Sequence, residues 1–157
     1  FSRDAVNGMV GQSFGSVAGI ILIVAAGGGF KQTLVDSGIG DVIANSITES
    51  AMNPLIAGWL VAVLIRLATG SATVATVTAS GIMMPLATGM NPTHLALLVL
   101  AIGAGSVFFS HLNDAGFWLV KEYFGMTVGQ TLKTWSLMET ILSAVGLGCV
   151  MLLSLVL

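Results

Sequence analysis

The chain has 157 residues, 55% of them hydrophobic and only 8% charged, with a formal net charge of −2 and a mean hydropathy of +0.99. A water-soluble domain carries roughly a quarter of its residues charged to solvate its surface, so this composition excludes an ordinary soluble domain and points to an all-α integral membrane protein. No basic patch offers a nucleic-acid surface, and the single Cys149 excludes an internal disulfide.

The start at Phe1-Ser-Arg-Asp4, without an initiator methionine or a basic n-region, is expected to be an internal position of a longer protein, with no signal peptide. The first hydrophobic unit runs from Val10 to Phe30. As a helix it would rise about 31 Å, enough to cross a bilayer, and Gly27-Gly28-Gly29 should bend or stop it. Lys31 to Asn53 differs in character: Leu34, Val35, Ile39, Val42, Ile43 and Ile47 approximate one apolar face among Lys31, Asp36, Asp41 and Glu49. It reads as an amphipathic helix lying along the interface.

Pro54 to Leu86 holds two short apolar arms around Thr69-Gly-Ser-Ala-Thr73. Neither arm is long enough to span, so the segment is expected to be a re-entrant hairpin that enters and leaves on one side. One long, kinked crossing from Leu55 to Leu86 is the alternative.

Pro92 to Val120 is long enough to cross, but Ser106-Val-Phe-Phe-Ser-His-Leu-Asn-Asp-Ala-Gly116 interrupts it near the middle. His111, Asn113 and Asp114 at membrane depth are costly unless they face a cavity, and broken helices are the best sequence pointer to a transporter binding site. Lys121 to Lys133 is polar and aromatic, as an interfacial connector should be. Trp135 to Leu157 is the cleanest transmembrane helix, with Glu139 as its only charge and Trp135 as an expected interface anchor. With the hairpin returning, Arg3, Lys121 and Lys133 share one side, which the positive-inside bias makes cytoplasmic. Residues 31–53 then face outward.

Phe30-Lys-Gln-Thr-Leu-Val-Asp-Ser-Gly-Ile-Gly-Asp41, Gly70-Ser-Ala-Thr-Val-Ala75, Ser110-His-Leu-Asn-Asp-Ala-Gly-Phe-Trp-Leu-Val-Lys-Glu-Tyr-Phe124 and Trp135-Ser-Leu-Met-Glu-Thr140 resemble, in order, the C-terminal portion of the gluconate permease (GntP) family of proton symporters. The resemblance implies a bacterial inner-membrane carrier of gluconate or related small hydroxy acids. It also implies an ion-transporter-superfamily fold, in which a re-entrant hairpin and a broken helix recur in two inverted halves. The present chain corresponds to the second half, so the missing N-terminal half becomes an expected partner, alongside the lipid bilayer, protons and a possible homo-oligomer.

A gluconate-like anion needs hydrogen-bond donors, hydroxyl partners and local positive potential. Helix N-termini supply free N–H groups and about half a positive charge each. The expected substrate-binding residues are Ser71, Thr73 and Thr76 on the hairpin's return arm, with Ser80 continuing that face, and Ser110 and Asn113 at the break. Ser106, Ser110 and Asn113 share one face if the turn stays helical. A second half-helix is expected to begin near Asp114. The expected proton-coupling groups are His111, whose ordinary pKa lies near neutrality, and Asp114, three residues on, with which it could share a proton. Asp114 also suits a helix N-cap. Arg66 is either a clamp for the substrate carboxylate or the partner of an acid in the missing half. Glu139 reads as a packing or interfacial residue, His94 as interfacial, and Trp59 and Trp118 as packing or lipid-facing.

No nucleophile elbow, phosphate loop or paired metal-ligand motif is present, so neither an enzyme nor a cofactor is expected. Two alternatives stay open. One is cation coupling through His111, Asn113 and Asp114; the other is a non-transporting module that acts only with a partner.

Overall fold

The computed structural model describes residues 2–14, 25, 33, 36–38, 42, 45, 46, 49 and 52–157. Residues 3–14 are helical. The expected crossing at 10–30 and the interfacial helix at 31–53 otherwise lie outside the described residues. Among the described residues every regular element is a helix and there is no strand.

Helix α1 (Pro54–Thr69) starts where the sequence punctuates it. Asn53 accepts the Leu55 amide at 2.8 Å, and Pro54 sits in the first turn, where a missing N–H costs nothing. It ends at Gly70, whose φ of 68° is left-handed and whose N–H reaches the Arg66 carbonyl at 2.9 Å. Ser71 immediately caps α2 (Ala72–Ile82), its Oγ accepting the Val74 amide at 3.3 Å. The arms hold 16 and 11 residues and pack on each other. At about 24 and 17 Å, neither matches a hydrocarbon core about 30 Å thick.

A short α3 (Met84–Ala87) leads to α4 (Pro92–Ser106), which is capped by Asn91 on the His94 amide at 2.8 Å. The helix stops at Ser106, Phe109 takes a positive φ of 44°, and helix resumes as α5 (Ala115–Tyr123).

The last helix departs from the sequence reading. It starts at Val128 rather than Trp135 and ends at Leu153 rather than Leu157. Thr127 and Gln130 form a reciprocal capping box, Gln130 Oε1 accepting the Thr127 amide at 2.8 Å and Thr127 Oγ1 accepting the Gln130 amide at 3.2 Å. That box satisfies the helix start and draws Lys133 into the helix. From it α6 (Val128–Thr131), a π-turn at Leu132–Ser136 and α7 (Leu137–Leu153) run on as 26 continuous residues. Among the described residues this is the one helix long and apolar enough to cross a membrane.

Helix α4 is the hub, packed against α1, α2 and α7. Small residues permit the close approach. Ala57, Ala62, Ala79 and Ala101 are fully buried, and a Cβ on Gly105 would lie 2.4 Å from the Trp59 carbonyl oxygen. Such contacts are how helices associate in lipid, where no hydrophobic drive separates protein from solvent. Large apolar residues such as Leu64, Val99, Leu100 and Val145 face outward, as a bilayer-facing surface allows.

Candidate functional site: a polar cavity between the helix tip and the helix break

The tip between α1 and α2 and the break between α4 and α5 meet around a cavity of about 490 Å³. Its walls are Arg66, Thr69, Gly70, Ser71, Ala72 and Thr73 from the tip, Asn113, Asp114 and Ala115 from the break, and Trp135 and Glu139 from the long helix. The volume falls within the range of small-molecule sites, about 300–1,000 Å³.

The two breaks are tied directly: Asn113 Nδ2 donates to the Leu67 carbonyl at 2.9 Å. Within the tip, Arg66 Nη1 donates to the Gly70 carbonyl at 2.6 Å. Arg66 Nη2 contacts Asp114 Oδ2 as an ion pair, and the same oxygen accepts from Ser110 Oγ. Asp114 Oδ1 takes the Gly116 amide at 2.8 Å, which makes Asp114 the N-cap of α5. Arg66 is 4% exposed, and its Nε has no partner among the described residues. Behind Asp114, Ser110 is buried; Trp135 Nε1 donates to its Oγ at 2.9 Å, and Ser136 Oγ donates to its carbonyl.

Two helix N-termini therefore open at this cavity, those of α2 at Ala72 and of α5 at Ala115. Each contributes partial positive potential. The fixed charges among the lining residues are one cation, Arg66, and two acids, Asp114 and Glu139.

Of the expected site residues, Ser71, Thr73, Asn113 and Asp114 line the cavity. Ser110 stands one layer behind, bonded to Asp114. Thr76 donates back to the Ala72 carbonyl at 2.9 Å, and neither it nor Ser80 reaches the cavity wall. His111 turns away: its Nδ1 lies 2.9 Å from the Phe109 carbonyl, and its ring packs on Phe109. It does not pair with Asp114, whose carboxylate accepts from Arg66, Ser110 and the Gly116 amide.

The single face expected for Ser106, Ser110 and Asn113 does not form, since α4 ends at Ser106 and the chain then turns. Arg66 finds its acid within this chain rather than in a missing half. Trp135, expected at the interface, and Glu139, expected to pack, both line the cavity. The available signal was a polar row, Ser136, Glu139 or Thr140, and Ser143, recurring every three or four residues in an apolar helix. Trp59 of α1 packs onto that face, donating through Nε1 to Ser143 Oγ at 3.0 Å. Among the described residues no group of three His, Cys, Asp or Glu is placed to hold a metal ion.

The sequence profile described as GntP family permease matches residues 1–156. The chain is 54% identical over 157 residues to a gluconate permease of Pseudomonas aeruginosa, covering all of this chain and 35% of that protein. It is 51% identical over 146 residues to the Gnt-II system L-idonate transporter of Escherichia coli K12, covering 92% of this chain and 33% of the relative. A high-affinity gluconate transporter of the same organism is 49% identical over 154 residues, covering 96% and 34%. The chain thus spans about a third of the length of these curated relatives, which are named permeases and transporters rather than enzymes. No solved structure matches it.

Proposed function

The chain belongs to the GntP family of permeases, and from that premise we propose that it forms the C-terminal part of a secondary transporter taking up gluconate or a related small hydroxy acid by proton symport. The observation that carries this reading is the cavity in which two helix N-termini, a hydroxyl pair and an amide converge on one volume.

A sugar acid presents a carboxylate and several hydroxyls. The free N–H groups at the start of α2 suit the carboxylate, because backbone donors bind an anion without the full charge that would slow release. Ser71 and Thr73 offer hydroxyls, and Asn113 offers an amide oxygen beside its tie to Leu67, to the polyol chain. Ser110 acts through Asp114, holding that carboxylate in place, and Thr76 supports the arm from behind. Arg66 fixes the tip to the break.

In this reading Pro54–Leu86 is a re-entrant hairpin and Pro92–Val120 a broken crossing. Arg3 and the connector near Lys121 are cytoplasmic in a bacterial inner membrane. The family's remaining length supplies the opposite wall, in the inverted half expected from the resemblance. Of the two groups expected to couple protons, His111 lies off the cavity wall and Asp114 is engaged by three donors.

Thr73→Val tests the site. In a full-length permease carrying this segment, the change removes a hydroxyl at nearly constant volume. The loss of one buried hydrogen bond should weaken gluconate binding by about 1–3 kcal/mol, roughly five- to 150-fold. Insertion and thermal stability should not change. Unaltered affinity by equilibrium binding would remove Thr73 from the site.

A further inference from the structure

Three ionisable side chains line the cavity: Arg66 from the last turn of α1, Asp114 at the cap of α5, and Glu139 from α7. Arg66 and Asp114 neutralise each other by direct contact. Asp114 also accepts from Ser110 Oγ and from the Gly116 amide. Protonating it would leave Arg66, 4% exposed, as an uncompensated buried cation.

Glu139 makes no such contact and meets Arg66 and Asp114 only through their electric fields. It is partly buried, lines the same cavity, and accepts no hydrogen bond among the described residues. No titratable group of α2 faces it, since that arm contributes Ala72 and Thr73, and His111 at the break points to Phe109.

With Glu139 ionised, the cavity walls carry one net negative charge. A carboxylate substrate would bring a second into a confined volume of low dielectric, where like charges repel strongly. With Glu139 protonated, the walls are neutral, and the anion meets the amides at the N-terminus of α2. On the reading that this cavity binds a carboxylate substrate, we propose that Glu139 takes up the coupled proton, one for each anion. The Arg66–Asp114 pair then holds the shape of the site. The proton comes from water on the side where substrate enters and adds to one carboxylate oxygen of Glu139. It returns to water on the other side as the substrate leaves, and no bond to the substrate forms.

The test uses a full-length permease carrying this segment, reconstituted in vesicles, with Glu139→Gln. Three quantities are read: uptake driven by a pH gradient, exchange of labelled for unlabelled gluconate at equal pH, and the pH dependence of gluconate binding. Exchange should persist, because it does not require return of the empty carrier with proton release. Accumulation should collapse to the external concentration. The fall in wild-type affinity at alkaline pH, at most about tenfold per pH unit for one coupled proton, should become flat. Glu139→Asp keeps a titratable carboxyl and should restore pH-driven accumulation.

Uphill uptake with intact pH dependence in Glu139→Gln would overturn the proposal. So would loss of binding at every pH in a correctly inserted Glu139→Gln protein, which would make Glu139 a substrate ligand. If Glu139→Gln fails to insert, Glu139→Ala is read by the same criteria, and Glu139→Asp without pH-driven uptake overturns the proposal by itself. Failure of the underlying site is recognised separately, as wild-type gluconate affinity that is indifferent to Thr73→Val.

Discussion

Gly70 meets two demands that no other residue type satisfies. Its φ of 68° lies in the left-handed region, and a Cβ there would stand 2.2 Å from the Asn113 carbonyl oxygen. The turn at the tip and the seating of the break against it thus depend on one missing methyl group. Gly70→Ala should cost about 1–3 kcal/mol of stability and also weaken gluconate binding, since tip and break must part. Gly89, with φ of 101° but nothing within 4 Å, is the control. Its Ala variant should lower the midpoint of thermal inactivation and leave binding intact. Equal binding defects in both variants would mean that the Gly70 contact does not shape the site. At this scale what could be read was that Ser71, Thr73, Asn113 and Asp114 are polar residues in apolar runs, which must face something other than lipid, and all four line the cavity. The Arg66–Asp114 pair was not, since its partners lie 48 residues apart and meet only when two helix breaks dock.

The helices follow their punctuation. Asn53-Pro54 and Asn91-Pro92 open helices, Gly70 closes one, and the side-chain caps carry out what those residue types suggest. The register beyond Ser106 was not readable, because a face defined by helical spacing disappears where the helix ends. The start of the long helix was missed for a different reason. Lys133 and the polar run before it looked interfacial, whereas the Thr127–Gln130 capping box sets the boundary. Close packing of α1 on α4 gives the element-scale prediction. Gly105→Ala places a methyl group against the Trp59 carbonyl and should destabilise the protein by about 1–3 kcal/mol. Gly103, two residues away, has nothing within 4 Å of an added Cβ, so Gly103→Ala should be neutral or stabilising by about 0.5–1 kcal/mol through helix propensity. Thermal inactivation in detergent separates the two. Matching midpoints would mean that α1 and α4 are not held at this distance.

For the whole molecule, composition alone was enough to assign a membrane protein, since 8% charged residues cannot solvate a soluble surface. The all-helical character was also legible, because long apolar runs in a bilayer must satisfy their backbone internally. Which cavity walls the long helix supplies was not legible, because Trp135 and Glu139 sit near its start, where interfacial residues are also common. The central claim is that tip and break together bind a small hydroxy acid. It is tested most directly by substrate protection in a full-length permease carrying this segment, using the single variants Thr73→Cys, Ala115→Cys and Ser80→Cys. Thr73 and Ala115 line the cavity, one from either break, whereas Ser80 is exposed on α2 outside it. Gluconate at ten times its Kd should slow maleimide labelling of the Thr73→Cys and Ala115→Cys proteins by about tenfold, from the occupancy of a single site, and leave the Ser80→Cys protein unaffected. Labelling at both cavity positions that is indifferent to gluconate, or protection of Ser80→Cys as strong as that of the other two, would contradict it.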